Sequence, residues 1–199
     1  MLRTLLNQNI ACFLADDNYY NFPDCPPYSK IVDCSSWVSI DKAIQDRKSE
    51  GLHFFEDDYK IERLWNTPNK YINLLSRFDY VIQTDFSLYF DFPVALQVYN
   101  KFRNHWLLNF YALHGISMIP NIRPSLPRFW EWSFVGYPIS SVVAFSDIGC
   151  TKDKAVKKII VQSYDEMIKR LSPVQILYFT RSPSNAPSEC NVIPLSYLK

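Results

Sequence analysis

Polar side chains follow five short apolar stretches of this chain, and they are its first candidates for chemistry. The stretches cover residues 52–55, 80–83, 116–120, 141–145 and 175–179. The polar residues after them are Glu56, Asp57, Asp58, Thr84, Asp85, Ser87, Asn121, Arg123, Ser146, Asp147, Thr180 and Arg181. If the stretches are parallel strands, these side chains meet at one rim, where the sites of such folds collect.

Two kinds of chemistry fit these residue types. Asp57, Asp85 and Asp147 would act as catalytic acid and base if their neighbours shift their pKa values, and Asp57 and Asp85 are the candidate ligands of a divalent cation such as Mg²⁺. Arg123 and Arg181 would hold a phosphate or carboxylate by bidentate hydrogen bonds. The other ligand contacts would come from Asp58, Ser87, Asn121 and Ser146. A structural interpretation stays open, because loops are solvated and Asp and Ser commonly cap helices.

Other familiar catalytic and metal-binding motifs are missing from the sequence. His53, His105 and His114 form neither an HxH nor an HExxH pair, so a paired-histidine metal site is not indicated. The five cysteines are scattered without a CxxC pair, which indicates neither a zinc site nor a disulfide framework. Cys150 follows Gly149 at a strand–helix junction, where an activated thiol is one interpretation and an incidental cysteine is the simpler one.

The aromatic stretch FWEWSF at residues 129–134 allows two interpretations. It would form a lid or a stacking platform for a base or sugar. Alternatively, it would be a short crossover helix that packs Phe129, Trp130 and Phe134 inwards and leaves Glu131 outside, and this second interpretation is favoured. Trp132 is then the ring expected to be exposed, and it joins the candidate ligand-binding residues.

Short apolar runs rich in β-branched and aromatic residues alternate with amphipathic stretches along the chain. The five runs above predict strands, and weaker candidates lie at residues 10–14, 31–34 and 191–195. Helices are predicted at residues 39–50, 67–78, 93–114 and 152–171. This alternation predicts an α/β fold with parallel strands. Eight strands favour a compact (β/α) barrel, although ~250 residues are typical of that fold, and an open doubly wound sheet is the alternative.

The composition indicates one globular domain over residues 1–199. Hydrophobic residues make up 48% and charged residues 21%, as in ordinary folded proteins. The net charge is only +1, which argues against bulk binding to nucleic acid. No apolar stretch approaches the ~20 residues of a membrane helix, and no signal peptide opens the sequence. We therefore expect a cytoplasmic protein without a membrane partner.

Several motifs of the chain resemble those of a known family. HFFEDD, TDFSLYFDFP, IPNIR and SVVAFSDIG occur in this order between about residues 50 and 180. With them the sequence resembles a family of domains of unknown function from phages, prophages and other bacterial mobile elements. The resemblance implies a bacterial host cell as the setting. It places the family's polar motif positions on Asp57, Asp58, Arg63, Asp85, Ser87, Asn121 and Arg123.

Some members of this family are labelled as resembling rolling-circle replication initiators. That label implies a paired-histidine metal site and a tyrosine nucleophile, which the three histidines here do not supply. Relatives often have tryptophan at the position of Pro124 and Thr-His-Gly at residues 147–149. Without that histidine, this chain would lack an acid–base group of its relatives, and it would then be a variant that binds the ligand without processing it.

Three functions follow as hypotheses. The favoured one is a phage or mobile-element protein whose strand-end pocket binds or processes a small anionic ligand such as a nucleotide, with or without a metal. The second is a non-catalytic protein that sequesters a ligand or inhibits a host defence protein, which an exposed apolar patch would favour. The third is a DNA-binding replication-associated protein, which a continuous Lys/Arg stripe would favour.

Overall fold

The computed structural model describes residues 18–46, 48–149 and 153–195. They contain eight strands, β1 (Trp37–Ser39), β2 (Gly51–His53), β3 (Tyr80–Ile82), β4 (Met118–Ile119), β5 (Asn121–Ile122), β6 (Val142–Ser146), β7 (Gln175–Thr180) and β8 (Asn191–Pro194). The strands form two four-stranded sheets in the orders β1-β2-β3-β4 and β5-β6-β7-β8. Every pairing in both sheets is parallel. The parallel α/β prediction is therefore confirmed.

Pro120 is the single residue between β4 and β5, and it therefore links the two sheets. β4 pairs with β3, whereas β5 pairs with β6. Proline has no N–H to give to a strand ladder, but the Pro120 carbonyl accepts a 2.7 Å hydrogen bond from the Ala144 N–H. The backbone thus changes its pairing partner at Pro120. The predicted strand over residues 116–120 contains β4, and β5 begins just beyond it.

Five α-helices accompany the strands. They are α1 (Asp58–Asn66), α2 (Ile72–Leu75), α3 (Val94–Leu113), α4 (Trp130–Ser133) and α5 (Lys154–Leu171), with short 3₁₀ turns before α2 and α4. The Asp153 carboxylate starts α5 by accepting the Ala155 N–H at 2.6 Å. Pro93 precedes α3, and Gly115, just beyond the His114 C-cap, has a φ of 80°, which suits glycine. None of these helices, within the described residues, is both long and apolar enough to span a bilayer.

Three apolar clusters hold the sheets and helices together. The first joins the outer face of the β1–β4 sheet to α1 and α3, and includes Leu52, Val81 and Trp106. The second joins the β5–β8 sheet to α5. The third contains inward side chains from both sheets, Ile82 and Phe179 among them, so the two sheets share one interior. Within the described residues β1 and β8 do not pair. A closed barrel is therefore not confirmed, and the open parallel alternative fits.

Two predicted elements are wrong, and local hydrogen bonds explain both. Residues 31–34 form no strand, because the Val32 N–H and C=O bond instead to the side-chain amide of Gln175. Most of residues 39–50 are turns rather than a helix, and the Asp46 carboxylate accepts the N–H groups of Lys48 and Ser49. The structure adds β1, β5 and α1, which the sequence interpretation missed. The weak strand at residues 10–14 lies outside the described residues.

Candidate functional site

A pocket of about 450 Å³ opens at the carboxyl ends of the strands. Its volume is in the range of small-molecule sites. Four cationic side chains line it, Lys42, Lys60, Arg123 and Arg181, together with four acidic ones, Asp41, Glu56, Asp57 and Asp85. The lining is therefore strongly charged but balanced in formal charge.

Six of the residues predicted from the strand ends meet in this pocket. They follow four different strands, and they are Glu56, Asp57, Asp85, Ser87, Arg123 and Arg181. Asp57 occupies the N-cap position of α1, but in the described chain its side chain makes no capping hydrogen bond. The capping explanation for its presence therefore does not hold for Asp57, whose exposed carboxylate faces the pocket.

Asp85 and Arg123 form the charged floor of the pocket. Arg123 Nη1 lies 3.2 Å from Asp85 Oδ2, and the two side chains are only 9% and 8% exposed. The Asn121 amide donates to Asp85 Oδ1 at 2.8 Å. Burial raises the pKa of Asp85 to about 6, and the Arg123 charge and the Asn121 hydrogen bond only partly oppose this rise. Both protonation states of Asp85 are therefore accessible near neutral pH.

Asn121 is held in place by two contacts of its own backbone. The Gln83 side-chain oxygen accepts the Asn121 N–H at 2.8 Å, and the Tyr137 hydroxyl donates to the Asn121 carbonyl at 2.8 Å. Arg123 follows directly after β5, the strand that bears Asn121. These contacts therefore position the amide and the guanidinium around Asp85.

Asp58 supports the pocket from behind its lining. Its carboxylate accepts hydrogen bonds from the Ser87 N–H at 3.1 Å and the Ser87 hydroxyl at 2.8 Å. The Asn100 side chain in α3 donates to the Ser87 carbonyl at 2.7 Å. Asp58 is thus a positioning residue for the loop after β3, whereas Ser87 itself reaches the pocket.

An ion-pair network forms one side of the rim. Lys60 Nζ lies 2.9 Å from both Asp41 Oδ2 and Glu56 Oε2. Arg63, predicted as a ligand-binding residue, contacts Asp41 at 2.8 Å and does not line the pocket. Sequence reasoning missed Asp41, Lys42 and Lys60 because it missed β1 and α1. The signal available for α1 was the apolar spacing of Ile61, Leu64 and Trp65.

Asp147 and Ser146 are buried beside the pocket and do not line it. Asp147 Oδ2 accepts a 2.9 Å hydrogen bond from the Thr180 hydroxyl, and burial raises the pKa of its carboxyl. Ser146 Oγ accepts the Ile148 N–H at 3.1 Å. Both side chains hold the backbone after β6, so that Ile148 and Gly149 line the pocket.

Trp132 does not belong to the site, and the expectation that its ring is exposed is wrong. It is 4% exposed and packs with Phe22 and Phe129 in a separate apolar cluster. Trp130 is the half-buried ring of this helix, and its indole N–H donates to the Ser125 carbonyl at 3.3 Å. Cys150 lies outside the described residues. The portion of the chain that the structure describes holds no group of three His, Cys, Asp or Glu side chains suited to a metal ion.

Comparisons with known proteins agree with the motifs. The chain is 27% identical over 173 residues to the "Gene 1 protein" of Mycobacterium phage L5, covering 86% of this chain and 76% of that protein. It is 26% identical over 175 residues to the "Gene 1 protein" of Mycobacterium phage D29, covering 87% of this chain and 65% of that protein. No solved structure matches the chain.

The family comparison covers nearly all of the described chain. The model described as "Domain of unknown function (DUF4417)" matches residues 15–195. Together with the mycobacteriophage relatives, this match confirms the resemblance to a phage family and makes the chain a phage-associated protein. The chain belongs to the DUF4417 family.

Proposed function

We propose that the strand-end pocket binds a small anionic ligand, with phosphate as its most suitable group. The observation that carries the proposal is the placement of the Arg123 side chain, 9% exposed, at the floor of a pocket of ligand size. Burying a guanidinium is costly unless an anion accompanies it. Its partner Asp85 is itself buried, and burial raises the pKa of this carboxyl to about 6, which disfavours its charged form. An anionic ligand in the pocket would give the guanidinium a further anion.

The other charges of the pocket support this choice. Lys60 is already balanced by Asp41 and Glu56 at the rim, whereas Arg123 and Arg181 line the same pocket as further cationic side chains. An arginine fork carries five N–H donors, which lets one guanidinium contact a carboxylate and a phosphate together. The pocket therefore suits one phosphate between the two arginines.

Asp85 extends the proposal from binding to processing of the ligand. A carboxyl with a pKa near 6 exchanges protons readily at neutral pH, which is the property of a general acid or base. Asp57 is another carboxylate of the pocket lining. A divalent cation would then bind together with the ligand's phosphate. Asp57 and Asp85 would supply only part of its coordination shell, and the phosphate would supply the rest.

The test is calorimetric titration of the purified chain with inorganic phosphate and ribose 5-phosphate, with and without MgCl₂. Arg123→Gln is compared with Arg128→Gln, which removes the same charge from an exposed arginine outside the pocket. We expect at least a tenfold loss of affinity in Arg123→Gln and little change in Arg128→Gln. Binding that is equal in the two variants, or no binding by the wild type, contradicts the proposal.

A second candidate function rests on the segment that follows Ser87. Tyr89, Val94 and Leu96 are each nearly half exposed, and Tyr89 also lines the pocket. Tyr89 contacts Phe92 edge to face at 4.8 Å. Clustered exposed apolar side chains favour a protein interaction. The corresponding function is that of an interaction protein directed against a host protein, and loss of partner capture in Leu96→Ser would test it.

A further inference from the structure

A second cavity, of about 420 Å³, separates β1 from β8 where the two sheets fail to pair. We name it the β1–β8 crevice. Its walls include Trp37 and Ser39 of β1, His53 of β2, and Ile193 with the following Leu195 on the opposite side. Trp37 packs edge to face against Phe179 of the shared interior at 5.1 Å. The crevice thus leads from the surface towards the inner faces of both sheets.

Neutral hydrogen-bond donors line the crevice. Among the residues that the structure describes, Ser39 Oγ and Trp37 Nε1 are buried without a hydrogen-bond partner. His53 Nδ1 accepts the Phe55 N–H at 3.3 Å, so its proton sits on Nε2. Burial lowers the pKa of His53 to about 3, which keeps the ring neutral. A buried donor without an acceptor is destabilising, so a ligand with acceptor atoms would recover stability here.

The crevice adjoins the strand-end pocket, because Ser39 and Lys42 line both cavities. The pocket has the arginines that suit a phosphate, and the neighbouring crevice has an indole ring, aliphatic walls and neutral donors. A single molecule with a charged end and a flat, acceptor-bearing end matches both.

We propose that the ligand is a nucleoside phosphate whose base carries carbonyl oxygens and occupies the β1–β8 crevice, while its phosphate lies between Arg123 and Arg181. This inference rests on the proposed function, because it places the anion in the same pocket. A flat ring suits the Trp37 wall, since bases pack well on aromatic side chains. The base's carbonyl oxygens would accept from Ser39, Trp37 and His53.

The experiment compares uridine 5′-phosphate with ribose 5-phosphate, which lacks the base, by calorimetric titration. Ile193→Trp fills the crevice with a larger side chain. Val192→Trp is the matched control, because Val192 is the neighbouring residue of β8, is 38% exposed and is not part of the crevice lining. Trp37→Phe provides a milder change that keeps a ring and removes the indole N–H.

We expect uridine 5′-phosphate to bind at least tenfold more tightly than ribose 5-phosphate. Ile193→Trp should remove this advantage without weakening ribose 5-phosphate, Trp37→Phe should reduce it about threefold, and Val192→Trp should preserve it. Equal affinity of the wild type for both compounds, or an advantage that survives both crevice variants, overturns the inference and leaves the proposed anion site standing. Absence of binding by either compound overturns the proposed function as well.

Discussion

Two groups of buried ionisable side chains differ in what surrounds them. Asp85 and Arg123 are buried at the floor of an open pocket. Lys101 of α3 is more deeply buried and enclosed. Its ammonium lies 2.8 Å from His105 Nε2, 3.0 Å from the Ser133 carbonyl and 4.0 Å from the centre of the Tyr137 ring. Burial lowers the pKa of Lys101 to about 7 and raises that of Asp85 to about 6.

The comparison shows that a perturbed pKa alone does not identify a site. Both groups titrate near neutral pH because burial disfavours their charged forms. Only Asp85 adjoins a pocket that holds other convergent polar groups. Tyr137 connects the two, since its hydroxyl donates to the Asn121 carbonyl and its ring lies beneath Lys101. We therefore expect Lys101 to govern stability and Asp85 to govern binding.

Lys101→Met should produce the largest change, and the change should be in stability. Because the pKa of Lys101 falls from 10.5 unfolded to about 7 folded, the unfolded chain binds the extra proton between these pH values. Wild-type stability should therefore rise with pH above 7, by at most about 1.4 kcal/mol per pH unit from this group. Urea unfolding between pH 7 and 9 should show that the variant loses this slope. The exposed-site control Lys70→Met should keep it.

Asp85→Asn should change ligand binding rather than the slope of stability above pH 7. As pH rises through about 6, Asp85 becomes an anion and repels an anionic ligand, so wild-type affinity should fall, by about three- to tenfold. A phosphate monoester also titrates near pH 6, but its own titration remains in the variant. We therefore expect the ratio of the affinity for ribose 5-phosphate at pH 5.5 to that at pH 8 to be smaller for Asp85→Asn than for the wild type. An unchanged ratio would show that the charge of Asp85 does not act on the bound ligand.

The parts of the fold that the sequence predicted are those with long, uniform patterns. β6 and β7 are buried along most of their length, and α3 and α5 were predicted within two residues at each end. β1 has three residues in a serine-rich stretch, and its partner β2 is reached through turns. Such a short strand exists because parallel pairing and the Trp37 contacts stabilise it, and these are tertiary effects.

A residue of the candidate site could be predicted from the sequence only where the strand before it could be predicted. Asp85, Ser87 and Arg181 follow strands that the pattern located, Arg123 follows β5 just beyond the predicted strand at residues 116–120, and all four line the pocket. Asp41 and Lys42 follow β1 and were missed with it. The burial of Trp132 depends on Phe22, more than a hundred residues earlier in the chain, and no local pattern records that contact.

Lys60→Met should have the smallest effect and so sharpen the contrast between the rim and the floor of the pocket. It removes one positive charge, as Arg123→Gln does, but the Lys60 side chain is 27% exposed and its ammonium already contacts Asp41 and Glu56. Solvent screens such pairs, which contribute about 0–1 kcal/mol. Affinity for ribose 5-phosphate should fall less than threefold, measured by the titration used for Arg123→Gln. Equal losses in the two variants would show that the pocket attracts its ligand by overall charge and that burial of Arg123 adds nothing.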